Sequence, residues 1–195
     1  MGIRLLGAIG VCSLTLVAAC SPGLVDRTAS DKGAKSMTLV SSKMADGEIA
    51  VPAGYRQWPK YLIGIDKAAA KQIRDIYISP KGHQTSKGES FPDGTVSVME
   101  IWTAKTAADG VLMRSADGKL VKDALSKVFV MAKSPGAGEL VNATLRTGDW
   151  VYAGYEADGV TPGGPPTAAC RSCHLKQPDT DWVFRYDEYF AKRGS

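Results

Sequence analysis

The chain has 195 residues, 44% of them apolar and 23% charged, with a formal net charge of +4. That length suits one domain with a tail, and the apolar fraction excludes wholesale disorder. The mild charge, with no cluster rich in lysine and arginine, excludes a nucleic-acid binder.

The first twenty residues read as an address. Arg4 supplies one positive charge, and Leu5–Ala19 follows as an uncharged run of apolar and small residues. It is short for a membrane span, which takes about 20 residues. Leu16-Val17-Ala18-Ala19-Cys20 resembles the bacterial lipobox, in which the signal is cut before the cysteine and the thiol takes a diacylglycerol. Residues 1–19 are then a signal peptide and Cys20 is the lipidated N-terminus. The alternative is an ordinary secretory signal cut nearby. Both put the protein outside the cytoplasm. The lipobox reading hangs it on the periplasmic side of a bacterial membrane through its acyl chains. Ser21, where an aspartate is absent, favours the outer membrane. Loss of Arg4 leaves a mature charge of 23 − 20 = +3.

Residues 20–48 are rich in Ser, Ala, Gly, Lys and Asp and read as a flexible tether, with a short helix around Met37–Met44 as an option. The folded domain is expected over residues 49–195. Pro52 and Gly54 mark a turn near its start. Ile73–Ile78 is β-branched and aromatic and reads as a strand stopped by Pro80-Lys81-Gly82. Pro92-Asp93-Gly94 is a turn. The strand Thr95–Trp102 then alternates, with Val96, Val98, Glu100 and Trp102 on one face and Thr95, Ser97, Met99 and Ile101 on the other. Val128–Ala132 and Trp150–Ala157 read as further strands. Ala68–Ile73 reads as a turn of helix and Phe184–Lys192 as a final helix. The fold class expected is α+β, mainly an antiparallel sheet with a few helices, because helical patterns between strands are too weak for βαβ units. Gly159–Pro166 is a loop that delivers the chain to its last motif.

That motif is Cys170-Arg171-Ser172-Cys173-His174, the Cys-x-x-Cys-His signature of c-type haem attachment. Two thiols three residues apart on one helical turn add across the two vinyl groups of one haem. The adjacent His174 then presents an imidazole to the iron. Ala168 and Ala169 suit a short helix, with Pro166 near its start. Competing readings explain less. A structural zinc needs four ligands and the motif offers three. A thioredoxin-like pair sits in a βαβ context that is missing here. A plain disulfide leaves His174 without a role. The expected cofactor is therefore one covalent haem c, held by Cys170 and Cys173 with His174 on the metal. On the far side of the iron, Met99, Met113 and Met131 are candidate ligands, His83 reads as a solvated loop histidine, and an open or water-filled position is the default.

The chain also resembles the P-460 type cytochromes and the related cytochromes c′-beta. The likeness runs through Val51–Trp58, Ile73–Ile78, Phe91-Pro92-Asp93-Gly94-Thr95-Val96-Ser97-Val98-Met99-Glu100, Gly148–Tyr152, Cys170–His174 and Thr180–Phe184. It implies an antiparallel β-rich domain, often a homodimer, with one haem c on one face and a distal side open to small ligands. Members with the P-460 chromophore join a lysine to the haem ring and oxidise hydroxylamine. In this sequence that lysine's position is Met99, whose thioether supplies no amine, so the crosslink is not expected. Lys105 has the right parity but lies beyond the expected strand, and Glu100 points away from Met99. The crosslink-free relatives bind nitric oxide in an apolar pocket, which Phe91, Phe129, Met99 and Met131 could line here.

Three functions follow as expectations. One is a lipid-anchored haem protein that binds nitric oxide or a similar small ligand or passes electrons. Another is a haem oxidoreductase acting on hydroxylamine or peroxide, which needs a proton-transfer group. The third is an electron carrier serving a redox partner protein. No nucleic-acid partner is expected.

Overall fold

Apolar side chains that alternate along successive strands fold this chain into one antiparallel sheet. The structure, a computed structural model, describes residues 43–193. The expected signal peptide, Cys20 and most of the expected tether lie outside the described residues. Five strands, β1 (Lys60–Lys67), β2 (Gln72–Ile78), β3 (Val96–Ala104), β4 (Lys122–Lys133) and β5 (Trp150–Glu156), pair in chain order as a meander. Among the described residues three α-helices accompany them: α1 (Pro80–His83), α2 (Thr167–His174) and α3 (Tyr186–Arg193). The α+β class and its antiparallel sheet are as the sequence predicts.

Strand β1 has no counterpart in the sequence reading. Gly64 sits in its middle with φ of 67°, and the pairing with β2 shifts register on both sides of Leu62. A bulge of this kind breaks the period-two signal. The buried Asp75 carboxylate accepts from the Gly64 amide at 2.9 Å and holds the irregularity in place. The helical turn expected over Ala68–Ile73 shrinks to a 3-10 turn at Ala68–Ala70, because Gln72 and Ile73 already pair with β3. Pro80 stops β2 and also opens α1, where Ser79 caps the Gly82 amide at 3.4 Å.

Register divides the sheet into two unlike faces. One carries Tyr77, Val98, Val128, Val130, Val151, Ala153 and Tyr155 and is sealed by Ile49, Tyr55 and the chain before β1. Glu100 lies on this face, 1% exposed. Its carboxylate accepts from Tyr55 Oη and Arg56 Nε, each at 2.6 Å, and from Trp102 Nε1 at 3.1 Å. It therefore points away from Met99, as strand parity requires.

The opposite face consists of three rows of cross-strand partners. Ile78, Ser97, Met131 and Tyr152 form the first, and Ile76, Met99, Phe129 and Gly154 the second. Arg74, Ile101, Lys127 and Glu156 form the third. Helices α2 and α3 lie toward the first row, where Tyr152, Trp150, Phe91, Tyr186, Tyr189 and Phe190 pack with Cys170 at the margin. In the second row Ile76, Met99 and Phe129 stay only half-buried.

Residues 43–48, at the end of the stretch read as a tether, are held against the domain. Met44 N donates to Ser134 Oγ at 3.0 Å, Gly47 N to the Tyr152 carbonyl at 2.8 Å, and Asp46 accepts from Tyr152 N at 3.0 Å.

Replacing Glu100 by alanine strands the buried Tyr55 hydroxyl and frees Arg56 and Trp102 of their acceptor, and is expected to cost about 2 kcal/mol in urea unfolding. Glu100→Gln, which keeps an acceptor, is expected to cost less. A loss below about 0.5 kcal/mol for the alanine variant would show that the network carries no stability.

Candidate functional site

The last motif forms the helix that its small residues suggest. Pro166 precedes α2, and Thr167–His174 places Cys170, Cys173 and His174 within its last two turns. Cys170 and Cys173 are both free thiols, the first half-buried and the second exposed. Burial raises the Cys170 pKa, which keeps that thiol protonated.

His174 turns inward between the rings of Tyr152 and Phe184, with centroids 5.1 and 5.0 Å away. Its Nδ1 lies 2.6 Å from the Trp182 carbonyl oxygen. A carbonyl only accepts, so Nδ1 carries the proton and Nε2 keeps its lone pair. Burial lowers the His174 pKa, which further favours the neutral ring that a metal needs.

Arg171, between the two cysteines, is 1% exposed. Its guanidinium grips Asp46 in bidentate fashion, Nε to Oδ2 at 2.8 Å and a terminal nitrogen to Oδ1 at 2.7 Å. It also donates to Thr147 Oγ1 at 3.1 Å and to the Trp150 carbonyl at 3.0 Å, and lies 5.2 Å from the Tyr152 ring centroid. This residue fastens α2 to β5 and to the N-terminal segment.

Met99 occupies the middle of the half-buried row, between Ile76 and Phe129, on the same face as Cys170. Met131 is one row nearer α2, opposite Tyr152. Phe129 is roofed by the loop before α2, since a Cβ on Gly164 would come within 2.6 Å of its ring. Phe91 differs from the pocket-wall expectation. It is 2% exposed and packed among Trp150, Tyr186 and Phe190, so it is core. Met113 is exposed in the β3–β4 connection, outside the three rows. Lys105 lies just past the end of β3, also exposed. His83 is not solvated as the sequence suggests. It is half-buried at the end of α1, with Nδ1 2.7 Å from Tyr189 Oη.

Two residues of this face were missed from sequence. Arg74 in the third row is partly desolvated, which lowers its pKa, and it lies within electrostatic reach of Cys173. Its Nε has no hydrogen-bond partner among the described residues. Glu156 is the one carboxylate in the three rows, and Lys127 Nζ holds it at 2.5 Å. A strict period-two reading of β2 and β5 would have put both on the Met99 face.

The sequence model of a family described as Cytochrome P460 matches residues 52–185, more than half of the chain. The chain belongs to the cytochrome P460 family. A search of curated proteins found no match. Membership makes the chain a cytochrome with a haem cofactor, and the residues present suit that group. Two free thiols sit three residues apart on one helix, the imidazole leaves Nε2 open, the neighbouring sheet face is apolar and half-buried, and the Arg74 Nε, without a hydrogen-bond partner among the described residues, stands on it. Among the described residues no three His, Cys, Asp or Glu side chains converge to hold a metal ion on their own.

The Arg171 grip predicts strong coupling. Arg171→Met is expected to lower stability by about 3 kcal/mol, because it leaves Asp46 without its partner. A double-mutant cycle with Asp46→Asn is expected to show more than about 1 kcal/mol of interaction energy. Additive losses would contradict the pairing.

Proposed function

We propose that this protein is an exported, lipid-anchored mono-haem c-type cytochrome that binds a small ligand such as nitric oxide without a lysine–haem crosslink. The observation that carries the reading is the pairing of Cys170–His174 on α2 with Met99 in the middle of the apolar row. In this reading Cys170 and Cys173 form the thioethers and His174 Nε2 binds the iron. The Tyr152 and Phe184 rings fix the imidazole plane. The bound haem supplies an iron that binds diatomic ligands and changes oxidation state.

The remaining work falls to side chains of the sheet face. Ile76, Met99, Phe129 and Met131 wall the ligand side with hydrocarbon, thioether and an aromatic ring. Such walls disfavour water and unpaired anions and favour neutral diatomics. Met99 contributes a wall here and no amine. Arg74 adds one cationic donor at the edge of the wall, suited to a ligand that gains negative charge on reduction. Cys20 as the lipid anchor, the periplasmic side of an outer membrane, a redox partner protein and a homodimer belong to the same proposal, on the strength of Leu16–Cys20, Ser21 and the family.

A second reading, oxidation of hydroxylamine or peroxide, draws on Glu156. This carboxylate lies on the right face and is already engaged by Lys127. It would serve as the proton acceptor that such chemistry needs.

Spectra of the purified ferrous protein, with and without carbon monoxide or nitric oxide, test the proposal. Ligand-induced changes are expected, and the absorption band that names the family is expected to be missing. Met99→Lys is expected to generate that band. Its presence in the unaltered protein would overturn the crosslink-free reading. Refusal of both gases would overturn the ligand-binding reading in favour of an electron carrier. Hydroxylamine turnover that disappears in Glu156→Gln would favour the enzyme.

A further inference from the structure

Asp181 and Trp182 both adopt left-handed backbone conformations, with φ of 53° and 56°. Residues other than glycine enter that region at a cost and stay only where their surroundings hold them. Asp181 is held from several sides. Its buried carboxylate accepts from Lys133 Nζ at 3.0 and 2.9 Å, and from the Phe91 amide at 2.8 Å. Its carbonyl accepts from Trp150 Nε1 at 2.8 Å. The next residue is fixed as well. Trp182 N donates to the Gln177 carbonyl at 2.8 Å, and its indole lies flush against Gly148, where a Cβ would come within 2.6 Å.

A buried ion pair is a poor source of net stability, and position is its better-attested use. Here the position it serves is visible. The strained pair of residues aims the Trp182 carbonyl at His174 Nδ1, 2.6 Å away. We propose that Asp181, clamped by Lys133, is a positioning residue that holds this carbonyl against the proximal histidine and so sets how basic an imidazole the haem iron receives. The inference rests on the reading that His174 binds that iron. A carbonyl accepting the Nδ1 proton pushes electron density toward Nε2. The more basic ligand favours ferric over ferrous iron and lowers the reduction potential.

The test compares two haem-loaded variants in which Lys133 is made neutral, so that no ammonium is left buried alone. Lys133→Met with Asp181→Asn keeps an acceptor for the Phe91 amide and a residue that tolerates the left-handed region. Lys133→Met with Asp181→Gly removes the anchor. The iron–histidine stretching band of the ferrous protein, read by resonance Raman, is expected to stay near the native position in the asparagine pair. In the glycine pair it is expected to move to lower frequency, with a rise in reduction potential. An unshifted band and potential in a folded glycine pair would overturn the proposal. Should that pair fail to fold, the native protein decides. In its carbon-monoxide-bound ferrous state, which is diamagnetic, the His174 Nδ1 proton is expected to exchange slowly with solvent, and more quickly in Lys133→Gln. Equal exchange would overturn the positioning role. Haem retained with no histidine on the iron would count against the underlying reading instead.

Discussion

A buried guanidinium in the middle of the cysteine motif is the contact on which the rest of the site depends. Arg171 meets acceptors from two distant stretches of chain: Asp46 before the sheet, and Thr147 and the Trp150 carbonyl where β5 begins. Burying a guanidinium is costly unless its donors are met, and the planar fork of arginine suits such a set. Once Arg171 is seated, α2 cannot roll. Cys170 and His174 then keep fixed places beside Tyr152, whose ring touches both the guanidinium and the imidazole. The N-terminal segment becomes part of the site because its Asp46 closes the grip.

The two faces of the sheet divide the labour. One is packed with aliphatic residues and tyrosines, and its two buried carboxylates are both engaged, Glu100 by three donors and Asp75 by the Gly64 amide and the Lys122 ammonium. That arrangement is structural. On the other face the row through Met99 stays half-buried, while the aromatic cluster beside it is dense. The contrast sets a half-buried apolar row beside a dense aromatic cluster. A rigid neighbour matters because the imidazole's hydrogen bond depends on a carbonyl held in an unfavourable backbone region.

Much of this was legible in the sequence, for identifiable reasons. Strands β2, β3 and β5 show clean alternation, and the turn Pro92-Asp93-Gly94 gives β3 its phase, so Met99 and Glu100 could be assigned to opposite faces. The motif helix followed from its small residues and proline. Strand β1 was hidden by the bulge at Gly64, and half of β4 by its exposed polar positions. Arg171 reads as a spacer between cysteines, because sequence does not show which spacer is buried. Asp46 sits in a stretch whose composition suggests a tether, and only a partner 125 residues away reveals its role. Phe91 stands just before a turn and looks like a pocket wall, yet the aromatic residues of α3 enclose it.

The central proposal is that Cys170 and Cys173 would hold one haem c, with His174 supplying its metal ligand. The most direct measurement is a denaturing mass spectrum of the protein exported from a host that can attach haem, followed by proteolytic mapping. The account predicts the added mass of one haem, located on the peptide that contains Cys170–His174, and its loss when both cysteines are replaced by alanine. Two unmodified thiols, or a Cys170–Cys173 disulfide in the native exported protein, would contradict it.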